Sequence, residues 1–389
     1  MKPTKSILPV IVFCQFFCTS LWFAGNAVLN DLIESYDLKT SVIGDLTSAV
    51  QFGFIIGTLA FAILTISDRF SPSKVFLVCA ILGASFNLGI TIEHNQLWSI
   101  LTFRFLTGFC LAGIYPVGMK IAADYYEKGL GKSLGYLVGA LVLGTALPHL
   151  LKDLSSVYPW KSVIISTSVL ASIGGILMFS LVPDGPFRKA SHHLNLSAFF
   201  SVFKNQSFRS AAFGYFGHMW ELYAFWTFVP FILKTYNDIH THFNTNIPLV
   251  SFFIIAAGGL SCILGGYISK KIGSKKVAFL SLLLSCICCL LSPFLFSLNH
   301  HLFLLVILFW GMVVVSDSPQ FSTLVATNVA TEIKGTALTI VNCIGFAITI
   351  FSIQLITNLQ NEINPKHLYI VLSIGPILGL IALTRNKEK

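Results

Sequence analysis

The chain has 389 residues, of which 55% are hydrophobic and 11% are charged, and its formal net charge is +9. Soluble domains carry roughly 25% charged residues, so this composition, with a mean hydropathy of +0.79, excludes an ordinary soluble protein and predicts an integral membrane protein. The nine cysteines fall in apolar segments, where cysteine serves as a small apolar side chain, and no Cys/His cluster has metal-ligand spacing. We therefore expect no disulfide, no metal site and no cofactor.

Twelve apolar runs of about 18 residues or more follow one another along the chain, and runs of this length are typical of transmembrane helices. They cover residues 7–30, 43–66, 75–92, 97–121, 133–151, 161–182, 210–233, 247–268, 277–298, 302–325, 335–357 and 367–384. Lys2 and Lys5 precede the first run as they would in a signal peptide. Because this run continues to about residue 30 and further runs follow, we interpret it as an uncleaved first helix.

A net charge of +9 is also typical of nucleic-acid or anion binding, but the positions of the charges favour another explanation. If both termini are cytoplasmic, 19 of the 25 Lys and Arg residues lie in cytoplasmic segments, five lie outside and one, Arg104, lies within a span. This asymmetry is the positive-inside rule. We predict a multi-pass protein of a bacterial inner membrane with cytoplasmic termini, whose partners are the lipid bilayer and a small solute, with no nucleic acid.

Two features divide the chain into halves. Residues 182–209 form the only long polar connection, between the sixth and seventh runs. The segments LTISDRFSPSKV (64–75) and GYISKKIGSKKV (266–277) are similar and lie about 200 residues apart, each between the second and third runs of its half. The predicted domains are an N-terminal six-helix bundle (1–182), a cytoplasmic linker (183–208) with a short interfacial helix near 196–203, and a C-terminal six-helix bundle (209–389). Parallel six-helix repeats are the architecture of secondary transporters.

Two motifs carry a resemblance to the major facilitator superfamily. The loop SDRFSPSK resembles the family's signature between helices 2 and 3, with Asp68, Arg69 and Lys74 in matching positions, although Leu64 and Ser71 stand where the pattern prefers glycine. The segment RFLTGFCLAG (104–113) is similar to the family's helix 4 motif. WELYAFW and SDSPQFS resemble runs in poorly characterised bacterial members, which indicate no substrate.

The resemblance implies an all-α integral membrane fold of twelve transmembrane helices in two pseudo-symmetric six-helix bundles. It also implies that Asp68 and Arg69 form a conformational latch at the cytoplasmic ends of the helices, whereas the alternative is that Arg69 and Lys74 only anchor the topology. Lys120, near the inner end of helix 4, is interpreted as a snorkelling anchor.

In that family helices 1, 4, 7 and 10 line a central cavity, and the strongly polar mid-membrane residues of this sequence lie on those helices. The candidate residues of the substrate and proton pathway are Asn26, Arg104, Tyr115, His218, Glu221, Trp310 and Asp317. A carboxylate at the centre of a bilayer costs roughly 2.5 to 3.5 kcal/mol on insertion scales, so it needs a partner or a function.

Structural alternatives stay open for several of these residues. Arg104 is equally consistent with a clamp on main-chain oxygens of helix 1 or 2. Asp317 precedes Pro319 and can satisfy N–H groups that the proline frees, and His218 can join two helices by a hydrogen bond. Glu221 has the weakest structural alternative.

The prediction is therefore a secondary active transporter, monomeric and not an enzyme, that moves a small solute by alternating access and is coupled to protons. Glu221 beside His218 is the first candidate for the proton site and Asp317 the second, because desolvation lets a carboxylate bind and release protons. One alternative is a non-transporting sensor or receptor on the same fold. Another is a membrane-embedded enzyme using His218 and Glu221, or His149 and Asp153, although the sequence shows no nucleophile or metal set for it.

Overall fold

A computed structural model of the chain describes residues 7–39, 41–126, 130–155, 157–188, 202–330, 333–360 and 362–385. Within these ranges the chain forms helices joined by turns and short loops, with no strand. The all-α class expected from the sequence is confirmed.

Six helical segments form the first half of the chain. They are α1 (Ile7–Thr19), α2 (Val42–Ile63), α3 (Pro72–Gly89), α4 (Leu97–Tyr125), α5 (Leu130–Leu154) and α6 (Lys161–Leu181). Short helices at Ala24–Ala27 and Leu29–Tyr36 continue α1, and Ile66–Arg69 lies between α2 and α3. A short break divides α4 into Leu97–Leu111 and Tyr115–Tyr125.

Six further segments form the second half. They are α7 (Gln206–Ile239), α8 (Ile247–Ile272), α9 (Ser274–Leu295), α10 (His300–Thr327), α11 (Lys334–Leu359) and α12 (Pro365–Thr384). Like α4, α10 consists of two helices, His300–Ser316 and Ser318–Thr327, with Asp317 at the junction.

Ten of these segments are long and apolar enough to cross a membrane, among the residues that the structure describes. The other two are α1, an apolar helix of 13 residues, and α7, whose 34 residues include polar and aromatic side chains. The twelve predicted spans therefore all correspond to helices.

The first helix is shorter than the predicted run over 7–30. It ends at Thr19, and the main-chain oxygens of Leu21 and Trp22, just beyond, accept hydrogen bonds from the guanidinium of Arg104. These oxygens would accept main-chain N–H groups in a continuous helix. A side chain from α4 thus replaces the helical partner, which local hydropathy does not reveal.

Asparagine caps mark the beginning of several helices in the second half. The side-chain oxygens of Asn205, Asn246 and Asn299 accept the main-chain N–H groups of Ser207, Leu249 and Leu302 at 2.9, 3.2 and 3.0 Å. Such caps satisfy N–H groups that have no partner within the helix and contribute about 1 kcal/mol each.

The chain divides into two compact units, Met1–Leu194 and Asn195–Lys389. The same helix pairs pack in both: α2 with α4 and α8 with α10, α3 with α6 and α9 with α12, α1 with α6 and α7 with α12. The two pseudo-symmetric bundles expected from the sequence repeat are therefore present.

Only the two ends of the predicted linker belong to the described residues. His192, His193 and most of the predicted interfacial helix near 196–203 lie outside them. The start of the linker packs on the N-terminal unit. The hydroxyl of Ser73 donates to the main-chain oxygen of Val182 at 2.6 Å, and the hydroxyl of Tyr125 donates to the main-chain oxygen of Pro183 at 2.5 Å.

Glycine allows the closest helix contacts in both units. A Cβ atom at Gly108 of α4 would overlap the main-chain oxygen of Val50 on α2, and one at Gly311 of α10 would overlap that of Ile254 on α8. Small residues let helix backbones approach in this way within membranes.

We expect Gly108→Ala to destabilise the purified protein by about 1–3 kcal/mol, because the added methyl group meets backbone atoms that cannot move aside cheaply. Thermal unfolding in detergent measures the change. Gly266→Ala is the matched control, since a Cβ there meets no atom within 4 Å. Equal unfolding temperatures for the two variants would contradict the close contact of α2 and α4.

Candidate functional site

The middle of α7 carries two buried ionisable side chains, His218 and Glu221, each 1% exposed. The sequence places both on one sector of this helix. In the structure they have different partners on other helices, so they do not form one pair.

Glu221 is held by three donors from two neighbouring helices. Its Oε1 atom accepts hydrogen bonds from the Ser285 hydroxyl at 2.5 Å, the Trp310 indole N–H at 2.6 Å and the Cys289 thiol at 3.2 Å. Ser285 and Cys289 lie on α9, and Trp310 lies on α10. A buried carboxylate with several donors is stabilised by them without a cation, so Glu221 joins α7, α9 and α10.

His218 faces Asp317 at the junction of the two helices of α10. The His218 Nδ1 and Asp317 Oδ1 atoms are 2.9 Å apart, and each side chain is 1% exposed. The two atoms are in direct contact, and they form an ion pair when His218 is protonated. The main-chain N–H groups of Asp317 and Ser318 also interact with the Asp317 carboxylate. The rings of Tyr215 and Phe321 lie 5.9 and 6.0 Å from the imidazole.

Main-chain hydrogen bonds close the turn around Pro319, next to Asp317. The main-chain N–H groups of Gln320 and Phe321 bond the main-chain oxygen of Asp317, both at 2.9 Å. The first turn after Pro319 is thus closed by backbone atoms. The carboxylate approaches His218 and also the main-chain N–H groups of Asp317 and Ser318, so it has both a side-chain and a backbone partner.

Arg104 is fully buried in the N-terminal unit and contacts neutral oxygens. Its Nη1 donates to the main-chain oxygen of Leu21 at 3.1 Å and to Asn87 Oδ1 at 3.3 Å, and its Nη2 donates to the main-chain oxygen of Trp22. Asn87 donates in turn to three oxygens of α6, on Ile164, Thr167 and Ser168. This arrangement supports the clamp alternative, because Arg104 links α4 to α3 and to the segment after α1, and Asn87 extends the link to α6.

The other candidates have separate surroundings. The amide of Asn26 donates to the Thr47 hydroxyl at 2.7 Å, and Tyr115, partly buried, begins the second helix of α4. The structure therefore brings together His218 with Asp317, and Glu221 with Trp310. Gln15 and Gln51, both fully buried, were missed because glutamine in an apolar run carries no charge to mark it.

A sequence model of the Major Facilitator Superfamily matches residues 11–353. The chain belongs to this superfamily. The resemblance inferred from the loop and helix 4 motifs is confirmed, and the protein is a multi-pass membrane protein of a transporter family.

Relatives within the superfamily differ in what they transport. The chain is 23% identical to the "Probable sugar efflux transporter" of Helicobacter pylori (strain G27) over 336 residues, 80% of this chain and 78% of that one. It is 28% identical to the "Niacin transporter NiaP" of Acinetobacter baylyi over 157 residues, which is 35% of either chain. The solved proton:xylose symporter XylE has the same fold, with a TM-score of 0.75 over 98% of this chain and 95% of that chain at 14% identity.

The superfamily's signature loop lies at one end of the N-terminal unit. Asp68 forms an ion pair with Lys120 at the end of α4, with 13% and 21% of the two side chains exposed. Lys120, interpreted from the sequence as a snorkelling anchor, is the ion-pair partner of Asp68. Arg69 donates from Nε to the Thr65 hydroxyl at 3.1 Å within the same short segment.

Residues at the start of the linker complete this cluster. Arg188 donates to the main-chain oxygens of Asp68 and Phe70 at 3.1 and 2.9 Å, and it pairs with Asp184 at 2.5 Å. The hydroxyl of Ser71 donates to Asp184 at 2.6 Å. Sequence reasoning missed Asp184 and Arg188, because nothing local indicates that the linker returns to the loop.

We expect Asp68→Asn and Lys120→Gln to be coupled by up to about 1 kcal/mol in a double-mutant cycle, because each removes the same partly shielded ion pair. Thermal unfolding measures the coupling, and cysteine crosslinking reports the balance of conformations. The exposed pair Lys234 and Asp238, with side chains 63% and 66% exposed, should show almost none. Additive effects at Asp68 and Lys120, with unchanged crosslinking, would leave Asp68 as an ordinary loop residue.

Proposed function

We propose that this protein is a proton-coupled secondary active transporter that moves a small solute across a bacterial inner membrane by alternating access. The observation that carries this proposal is the buried pair of His218 and Asp317, with Nδ1 and Oδ1 2.9 Å apart. Ionisable pairs inside the membrane most often belong to proton or substrate pathways. Membership of a transporter superfamily supports transport over a receptor or an enzyme.

The pair couples protonation to conformation through its net charge. Deprotonated Asp317 with protonated His218 is neutral overall, and one further proton leaves a single positive charge in apolar surroundings. A buried net charge is strongly disfavoured. Gain or loss of a proton therefore changes the relative stability of conformations that differ in water access to the pair.

The charge pattern supports a proposal on orientation. We propose that both termini and the linker are cytoplasmic and that one chain transports by itself. Single cysteines introduced at Asn95 and Asn205 should then be labelled from opposite sides, Asn95 from outside and Asn205 from inside. Labelling of the cysteine at position 205 from outside would show that the orientation is the opposite one.

Purified protein in lipid vesicles with an imposed pH gradient tests the coupling. The relatives' names suggest D-xylose, D-glucose and nicotinate as first solutes. We expect at least one solute to accumulate with the gradient and to change the luminal pH when added without one. Movement of solute with no change in luminal pH would identify a uniporter instead.

A further inference from the structure

Three buried amide side chains in the N-terminal unit have polar atoms without a hydrogen-bond partner among the described residues. Gln15 and Gln51 are fully buried, and neither the nitrogen nor the oxygen of either amide bonds any described group. Asn26 is 7% exposed, and its side-chain oxygen also has no hydrogen-bond partner among the described residues. Buried polar groups are nearly always satisfied, because an unpaired one costs free energy.

The amides of Asn26 and Gln51 belong to neighbouring segments of the N-terminal unit. Thr47, Gln51 and Phe54 lie on one face of α2, at spacings of four and three residues. Thr47 accepts the Asn26 amide at 2.7 Å, and the Phe54 ring lies 4.9 Å from that of Trp22. Gln51 lies between Thr47 and Phe54 on this face of α2, so helical spacing places it on the side of the helix that meets the stretch from Trp22 to Asn26.

The opposite face of α2 has a different function. Gly53 and Gly57 lie there, and each would bring a Cβ atom against the backbone of α4. Helix packing therefore uses the glycine face, whereas Gln51 contributes nothing to that contact. We call Asn26, Gln51 and the rings of Trp22 and Phe54 the amide subsite.

The chemistry of the amide subsite indicates the class of ligand. Gln51 offers N–H donors and an acceptor, Asn26 offers an acceptor, and an aromatic pair adjoins them. Amides carry no charge with which to neutralise an ionic ligand. Arg104 is nearby: its Nη groups bond the main-chain oxygens of Leu21 and Trp22, and its Nε has no hydrogen-bond partner among the described residues. Neighbouring donors and acceptors beside aromatic rings suit the hydroxyl groups and C–H faces of a sugar or polyol.

We propose that the amide subsite binds a neutral polyhydroxylated solute, so that the N-terminal unit recognises the substrate while the C-terminal unit carries the proton. This rests on the proposed transport function and specifies its substrate class. Gln15 supplies a further donor and acceptor two helical turns earlier, beside Gly118 of α4.

Thermal stability in detergent tests this proposal without any transport assay. The neutral probes are D-xylose, D-glucose and mannitol, and the charged ones are nicotinate and tetraethylammonium. We expect at least one neutral probe to raise the unfolding temperature and the charged probes to leave it unchanged. If no neutral probe stabilises the protein, or nicotinate alone does, the proposal is overturned.

The variant Gln51→Met separates a ligand-binding amide from a structural one. Because methionine fills a similar volume and leaves no unpaired polar atom, we expect equal or higher stability without ligand and at least tenfold weaker binding of the neutral probe. Gln206→Met, at the exposed start of α7, should change neither quantity. Lower stability without ligand together with unchanged probe binding would show that Gln51 is structural, as it would be when bonded to an ordered water, and would overturn the assignment.

The outcomes distinguish this inference from the proposed function. Binding of a neutral probe with no proton movement in vesicles would refute proton coupling and retain the amide subsite. Proton-coupled transport of nicotinate, with Gln51→Met as active as the wild type, would retain the transporter and refute the subsite.

Discussion

Asp317→Asn is expected to abolish accumulation of substrate driven by a pH gradient while leaving the protein folded and able to bind substrate. Asparagine has nearly the same shape as aspartate but does not titrate, so the pair with His218 loses its acidic member. A gradient of one pH unit supports about tenfold accumulation for one proton per substrate. The variant should instead reach equal concentrations on both sides of the membrane.

Uptake into vesicles with and without a pH gradient measures this difference. Downhill exchange in the variant should continue and should depend less on pH than exchange in the wild type, because the titrating pair is incomplete. Asp238→Asn, on an exposed residue of α7, is the matched control and should accumulate normally. Full accumulation by Asp317→Asn would show that the His218 and Asp317 pair is not the proton site, and Glu221 would then be the first candidate.

Glu221→Ala is expected to reduce stability by several kcal/mol or to prevent folding. The substitution removes the acceptor shared by Ser285, Cys289 and Trp310. Each buried donor left unpaired costs about 1–3 kcal/mol, and the space vacated by the side chain adds to the loss. Yield of monodisperse protein and its unfolding temperature measure the effect, and Asp238→Ala on the same helix should change neither.

Glu221→Gln tests whether this carboxylate also carries the proton. The amide oxygen still accepts the donors, so we expect a folded protein, and with His218 and Asp317 intact we expect it to accumulate substrate. This reverses the order of preference drawn from the sequence, in which Glu221 came first. Loss of accumulation in Glu221→Gln, with accumulation retained in Asp317→Asn, would restore that order.

The number of spans, the division into halves and the superfamily could be predicted from the residues, because each depends on a local property. Hydropathy over about 20 residues decides whether a helix enters a bilayer, and loop charge decides its orientation. The buried ionisable residues were identified for the same reason, since a charge within an apolar run is visible without knowledge of its neighbours. Glutamine side chains in such runs, including Gln51, carry no charge and were therefore not identified.

The partners of these residues depend on how the helices are rotated and packed against one another. Helical spacing places His218 and Glu221 on one sector of α7, yet Asp317 approaches the first while α9 and α10 supply donors to the second. The break after Thr19 has a similar origin, because Arg104 reaches it from α4. A helix's own period relates residues within about two turns, whereas contacts between helices distant in sequence arise only when both backbones are in place.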